Sequence, residues 1–328
     1  MMGLTDRHFR TLIRLLTRHT LLYTELVPVR ALLSGTPMRA LGFAPLEQPL
    51  ALQLGGDDPG ALAEGAAIAE AQGFAEVNLN AGCPSERVRQ GRFGAALMAR
   101  PDDVALMIAA MRRATRLPVT VKHRLGIAPD AGGKHLLRFV DTIAAAGVDR
   151  VIVHARAAVL HGRMSPKQNR RVPPLCPGEV YRLKKARPFL AVEYNGGVMD
   201  LDQALAHLDR RNTDGAALDG VMIGRAAYAR PWLLAHADER VFGAPREKRE
   251  ARRAGRVETV RAFLPYLHEV VAQGEPLRHA ARHLLNIFSG TKGARAWRRR
   301  LSEALRDPTV GPSVIEEALC EIEALWEV

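Results

Sequence analysis

The chain has 328 residues, 47% hydrophobic and 25% charged, the profile of a folded globular protein and not of a disordered one. No run approaches the ~18 consecutive apolar residues of a membrane span, and the opening MMGLTDRHFR lacks the apolar centre of a secretory signal. A cytoplasmic protein with no membrane partner is expected. The three cysteines, Cys83, Cys176 and Cys320, are scattered and show no CxxC spacing, so neither a disulfide framework nor a metal site is expected. The net charge of +12 implies a polyanionic partner. Its distribution is uneven: residues 1–243 carry 32 basic and 23 acidic side chains, residues 244–306 carry 15 and 6, and residues 307–328 carry only 6 acidic ones.

The sequence opens on what reads as a loop and helix, TDRHFRTLIRLL. Strand-like runs then follow at 21–26, 49–54, 75–80, 118–123, 150–155, 190–195 and 219–224, separated by helical patterns at 58–73, 101–116, 134–147 and 201–211. Strands alternating with helices imply a parallel sheet with crossover helices. The spacing, and the polar residue at the end of nearly every strand, suit an α/β fold of the TIM (β/α)8 barrel type better than a sheet with one switch point. No eighth strand can be found after residue 224, so the first strand is expected to be truncated, the chain starting inside the first βα unit. A Gly/Pro and charge-rich stretch at 241–250 reads as a linker. Helical patterns at 252–274, 276–290, 294–307 and 312–327 follow it. Two domains are therefore expected, a barrel over 1–243 and a small helical domain over 244–328.

Barrel active sites are built at the C-terminal ends of the strands. Those positions hold Gln53, Asn78, Asn80, Lys122, Arg124, His154, Arg156, Asn195-Gly196-Gly197 and Gly224-Arg225. Residues two apart on a strand share a face, so Lys122 with Arg124, and His154 with Arg156, can turn together into the mouth. Lys and Arg are poor candidates for unpaired burial. The glycines after the last two strands fit a phosphate site in which backbone N–H groups approach an anion, and a lysine can stabilise the electron-rich edge of a reduced flavin. An FMN site explains the set best. Cys83 lies in a Gly-rich polar loop after a strand. An ordinary thiol, with a pKa of about 8.5, is mostly protonated at neutral pH and can donate a proton, so a general acid is its expected role. Lys167 and Arg170 in a long loop, and Arg295 and Arg298 one helical turn apart, are further basic pairs. Trp297 between the latter two offers packing or base stacking.

NLNAGCPS, VTVKHRLG, VHARAAVLHGRMSPKQNR, NGG, DGVMIGRAAY and GARAWRRRLSE together resemble the tRNA-dihydrouridine synthases, most closely their bacterial DusA subgroup, from Thr5 to about Ser302. The resemblance implies an FMN-binding TIM barrel followed by a helical RNA-binding domain. It also implies NADPH-dependent reduction of uridine to 5,6-dihydrouridine in the D-loop of tRNA, at positions 20 and 20a in that subgroup. Cys83 matches the cysteine that protonates C5 after hydride reaches C6. Gln53, Lys122, His154, Asn195, Gly196, Gly197, Gly224 and Arg225 match FMN-binding positions, and Met1 is what remains of a first-strand Pro-Met segment that contacts the flavin. Asn80, Lys167, Arg170, Arg295 and Arg298 match tRNA-contacting positions, to which the mouth-facing Arg124 and Arg156 are added. A monomer with tRNA as its partner is expected. The competing expectations are a flavin barrel enzyme for a small pyrimidine or enone, and a tRNA-binding folding helper.

Overall fold

The computed structural model describes residues 1–34, 42–160, 168–209, 211, 213, 215–244 and 254–327. By packing, the chain falls into two units: residues 1–2, 21–43 and 48–223, and residues 3–20, 44–47 and 224–328.

The first unit is built on parallel strands β1 (Leu22–Tyr23), β2 (Val27–Pro28), β3 (Leu50–Gly55), β4 (Glu76–Ala81), β5 (Val119–Arg124), β6 (Arg150–His154), β7 (Ala191–Asn195) and β8 (Gly220–Met222). β1 and β2 both pair with β3, Leu22 opposite Leu50 and Val27 opposite Leu54, so they are two pieces of one strand line. The interruption falls at Thr24, whose hydroxyl donates to the Glu25 carbonyl and accepts the Gln53 N–H. From β3 to β8 every strand pairs with the next in sequence, always in parallel. That order has no reversal and hence no switch point. The result is an α/β fold, a curled half-barrel whose edge strands β1 and β8 have no outer partner among the described residues. All six residues of β4 are buried, as a sheet covered on both faces requires.

The crossover helices form where their caps dictate. Asp58 accepts the Ala61 N–H at 2.7 Å, and Pro59 follows as the first helical residue of Pro59–Ala71. Gly65 lets this helix close on the sheet, because a Cβ there would lie 2.9 Å from Val29 and 3.0 Å from Leu54. Pro101–Ala114, Gly133–Ala145 and Leu201–Leu208 occupy the other expected helical stretches. No helix among the described residues is long and apolar enough to cross a membrane.

The second unit is helical: Arg7–Arg14, Ala254–Ala272, Arg278–Ala281 running on as a 3-10 turn to Asn286, Ala294–Ala304 and Ser313–Glu327. Phe263, Leu267, Leu284, Phe288, Trp297, Leu301, Ile315 and Ile322 form its core. Packing draws its limits differently from the composition. The unit begins at Gly224 and not near residue 244, and it takes in the first helix. An ion network holds the first helix there: Asp6 meets Arg282 and His283, and Glu275 meets Arg7 and His8.

Candidate active site

In the first unit the alternation of the strands brings polar side chains to one face: Glu76, Asn78 and Asn80 on β4 and Thr120, Lys122 and Arg124 on β5, two residues apart, and Arg150 and His154, four apart, on β6. The register sets them side by side. Gln53 lies opposite Asn78, Asn80 opposite Lys122, Arg124 opposite His154, and His154 opposite Asn195.

Lys122 is half-buried, and its ammonium has no hydrogen bond or ion pair among the described residues. Burial deep among the strand ends, with Arg124 adding repulsion and Cys83 opposing it, lowers its pKa to about 8. A cation held in such a place without a protein anion is matched to a ligand that brings negative or electron-rich atoms.

Cys83 follows β4 directly. Its N–H and that of Gly82 donate to Asn80 Oδ1 at 2.9 and 3.1 Å, and its carbonyl accepts the Ala95 N–H at 2.9 Å. Gly94 adopts φ +70°, and a Cβ there would come within 2.5 Å of the Cys83 carbonyl oxygen. The loop is thus clamped from both sides, with the thiol partly exposed and its Sγ 3.4 Å from Ser85 Oγ.

On the far strands, Asn195 donates to the Met222 carbonyl at 2.8 Å, tying β8 to β7. Gly196 and Gly197 turn away from the strand at φ +124° and +76°, under Leu175 and beside the His154 ring. Only glycine adopts such angles without strain, and the turn passes a half-buried histidine with Gly196 buried and Gly197 exposed.

Several expected contacts prove to be committed elsewhere. Arg124 is buried and donates to the carbonyls of Gly82, Ala157 and Asn169 at 3.0, 2.9 and 3.1 Å. It ties the loops after β4 and β6 together and is not a free phosphate contact. Arg156 donates to the Pro173 carbonyl and so holds the same loop. Asn80 is 8% exposed, its amide engaged by the cysteine loop and by Gln53. Met1 is half-buried within the first unit. Lys167 and the side chain of Arg170 lie outside the described residues. In the second unit Gly224 precedes the short helix Arg225–Ala229, and Arg225 is exposed. Arg295, Arg298 and Arg299 are exposed on one face of Ala294–Ala304. Trp297 is buried, its indole N–H on the Leu284 carbonyl at 2.9 Å and its ring edge-on to Phe288. Packing, not base stacking, is therefore its role.

The sequence reading missed the layer beneath the mouth. Gln53 donates to Asn78, Asn78 to Thr120 and Thr120 to Glu76, and Arg150 bridges Glu76 and Glu193. The signal is the polar repeat of period two running down β4 and β5, Glu76-Asn78-Asn80 and Thr120-Lys122-Arg124.

A half-buried cation with no protein anion among the described residues, a clamped thiol and glycine turns at the ends of parallel strands are the features of a flavin-dependent enzyme site, a group for which Lys122 would supply the charge and Gly196-Gly197 the tight backbone turn. The comparisons agree with that class. Residues 1–322 match the profile of the dihydrouridine synthase (Dus) family, and the chain belongs to that family. It is similar to the tRNA-dihydrouridine(20/20a) synthase of Synechocystis, 46% identical over 97% of this chain and 92% of that protein. The tRNA-dihydrouridine(20/20a) synthase of Xanthomonas axonopodis is 48% identical, covering 97% of this chain and 91% of that protein, and that of Escherichia coli 45%, covering 97% and 89%.

Proposed function

We propose that this chain reduces uridine to 5,6-dihydrouridine in the D-loop of tRNA, at positions 20 and 20a, with FMN as its flavin and NADPH as the reductant. The observation that carries the reading is a Lys122 ammonium that has no hydrogen bond or ion pair among the described residues and interacts electrostatically with the nearby Cys83 thiol. Reduced FMN, when bound, supplies the hydride for C6 of the uracil. Lys122 would stabilise the electron-rich part of the reduced flavin, and His154, the Gly196-Gly197 backbone and Gln53 would hold the group. The Cys83 Sγ–H gives its proton to C5 as charge develops there. Ser85, which accepts from that thiol at 3.4 Å, aligns it.

A base in folded RNA must leave its stack to reach such a mouth, which demands a second surface that holds the RNA. The exposed arginines of Ala294–Ala304 serve as that surface. The test is mass-spectrometric nucleoside analysis of tRNA lacking dihydrouridine after incubation with protein, FMN and NADPH. Wild type should form dihydrouridine at positions 20 and 20a. Cys83→Ala should keep its flavin and lose about 10²-fold or more in rate. A Cys83→Ala protein as fast as wild type would remove the thiol from the chemistry.

A further inference from the structure

The polar layer below the mouth has a direction, fixed at its two ends by groups with no choice of role. At the top, the backbone N–H groups of Gly82 and Cys83 can only donate, so the Asn80 atom facing them is the carbonyl oxygen. Its amide nitrogen then faces Gln53 at 2.8 Å, where Gln53 must present Oε1. The other half of the Gln53 amide donates to Asn78 Oδ1 at 2.9 Å, and Asn78 Nδ2 donates to Thr120 Oγ1 at 2.8 Å. At the bottom, the Glu76 carboxylate, paired with Arg150 and already accepting from the Tyr23 hydroxyl at 2.9 Å, can only accept. The Thr120 proton therefore goes to Glu76.

Every donor points the same way, from the cysteine loop down to Glu76. Reversing any one amide would set donor against donor at one link and acceptor against acceptor at the next. Asn78 and Thr120 have no solvent exposure, so nothing else can satisfy them, and links in such a chain polarise one another.

We propose that Thr120, Asn78 and Glu76 are positioning residues. Through this one-way chain they decide which end of the Gln53 amide meets the flavin and hold Asn80 as the acceptor that shapes the Cys83 loop. Asn80 thus belongs to the frame of the site. The inference rests on the flavin reading above. It makes Gln53 Nε2, with one uncommitted N–H, a fixed donor toward the flavin.

The experiment is a double-mutant cycle on FMN affinity with the full-length protein. Thr120→Val keeps the β-branched shape and removes the hydroxyl, and should weaken FMN binding about tenfold. Thr120→Ser, which loses a methyl group and keeps the hydroxyl, should stay within about twofold of wild type. In a Gln53→Ala background Thr120→Val should have no further effect, because it acts through Gln53. Should Thr120→Val fail to fold, Asn78→Ser takes its place in the same cycle with the same expectation. Additive losses, or a Thr120→Ser protein as weak as Thr120→Val, would overturn the inference while leaving the flavin reading intact. A wild-type protein that binds no FMN would overturn the flavin reading and the chain's role with it.

Discussion

Lys122 is the residue on which the site's electrostatics turn, and its sign can be worked out. Burial and Arg124 depress its pKa from 10.5 to about 8, so the flavin-free protein sheds this charge across a range where an ordinary lysine keeps it. Where binding requires the ammonium, FMN affinity is full below about pH 8 and falls by up to about tenfold per pH unit above it. Lys122→Met should give weak binding with no such pH dependence, and fluorescence titration of FMN between about pH 6.5 and 9.5 reads both results. Wild-type affinity that stays flat across that range would remove Lys122 from the flavin. The same shift has a cost in stability. A base with a depressed pKa destabilises the fold while it is charged, a penalty present at neutral pH and relieved as pH climbs through 8 toward 10.5. Flavin-free Lys122→Met should therefore melt higher than flavin-free wild type. Lys122 was legible in the sequence because it stands among polar residues at the ends of neighbouring strands, where a single lysine alone would read as solvated. The commitment of Arg124 was not, because its three carbonyl partners come from loops up to 45 residues away along the chain.

Elements read well from the sequence where one local pattern decided them and badly where a tertiary bond did. The strands β3 to β7 follow from short apolar runs, and their helices from Asp caps or prolines at the first helical position at Pro59–Ala71, Pro101–Ala114 and Leu201–Leu208. The run at 21–26 reads as one strand, yet it breaks at Thr24 because that hydroxyl turns to its neighbour's carbonyl, which no alternation pattern announces. The loop carrying Cys83 is a second such case. Gly94→Ala would force a Cβ to 2.5 Å from the Cys83 carbonyl at φ +70°, a backbone clash that no rotamer relieves. We expect a loss of about 2 kcal/mol in urea unfolding, together with a lower rate from the displaced thiol. The helix Arg7–Arg14 presents a third. Arg10 and Glu47, both almost wholly buried, pair at 2.6 Å, while burial pushes the Glu47 carboxyl up and Arg10 pulls it down. Arg10→Met should cost about 3–5 kcal/mol by stranding a buried carboxyl, and the double variant Arg10→Met/Glu47→Gln should recover most of that. Equal loss in the single and double variants would mean that Arg10 matters for its packing alone.

At the scale of the whole chain, charge is sorted in a way that composition announces and only the structure resolves. The segment 244–306 holds 15 basic side chains against 6 acidic ones, but these cations are not equivalent. The acidic helix Ser313–Glu327 takes up some of them: Arg261 pairs with Glu323 at 2.9 Å, and Arg300 with Glu317 and Glu321 at 2.8 and 3.3 Å. Arg295, Arg298 and Arg299, on the same short helix as Arg300, are exposed with no ion pair among the described residues. The sequence run ARAWRRR cannot separate the two kinds, since the discriminating carboxylates arrive from another helix. The difference sets up a graded expectation for tRNA binding, measured by fluorescence anisotropy across a salt series. Each phosphate contact contributes about one unit to the slope of log affinity against log salt. Arg295→Ala and Arg298→Ala should therefore each weaken binding and flatten that slope by about one unit, with melting temperature and flavin spectrum unchanged. Arg300→Ala should leave the slope where it is, because its guanidinium is already engaged by carboxylates. A slope that drops equally for Arg300→Ala and Arg298→Ala would mean that the RNA reads net charge over this helix and not the individual free arginines.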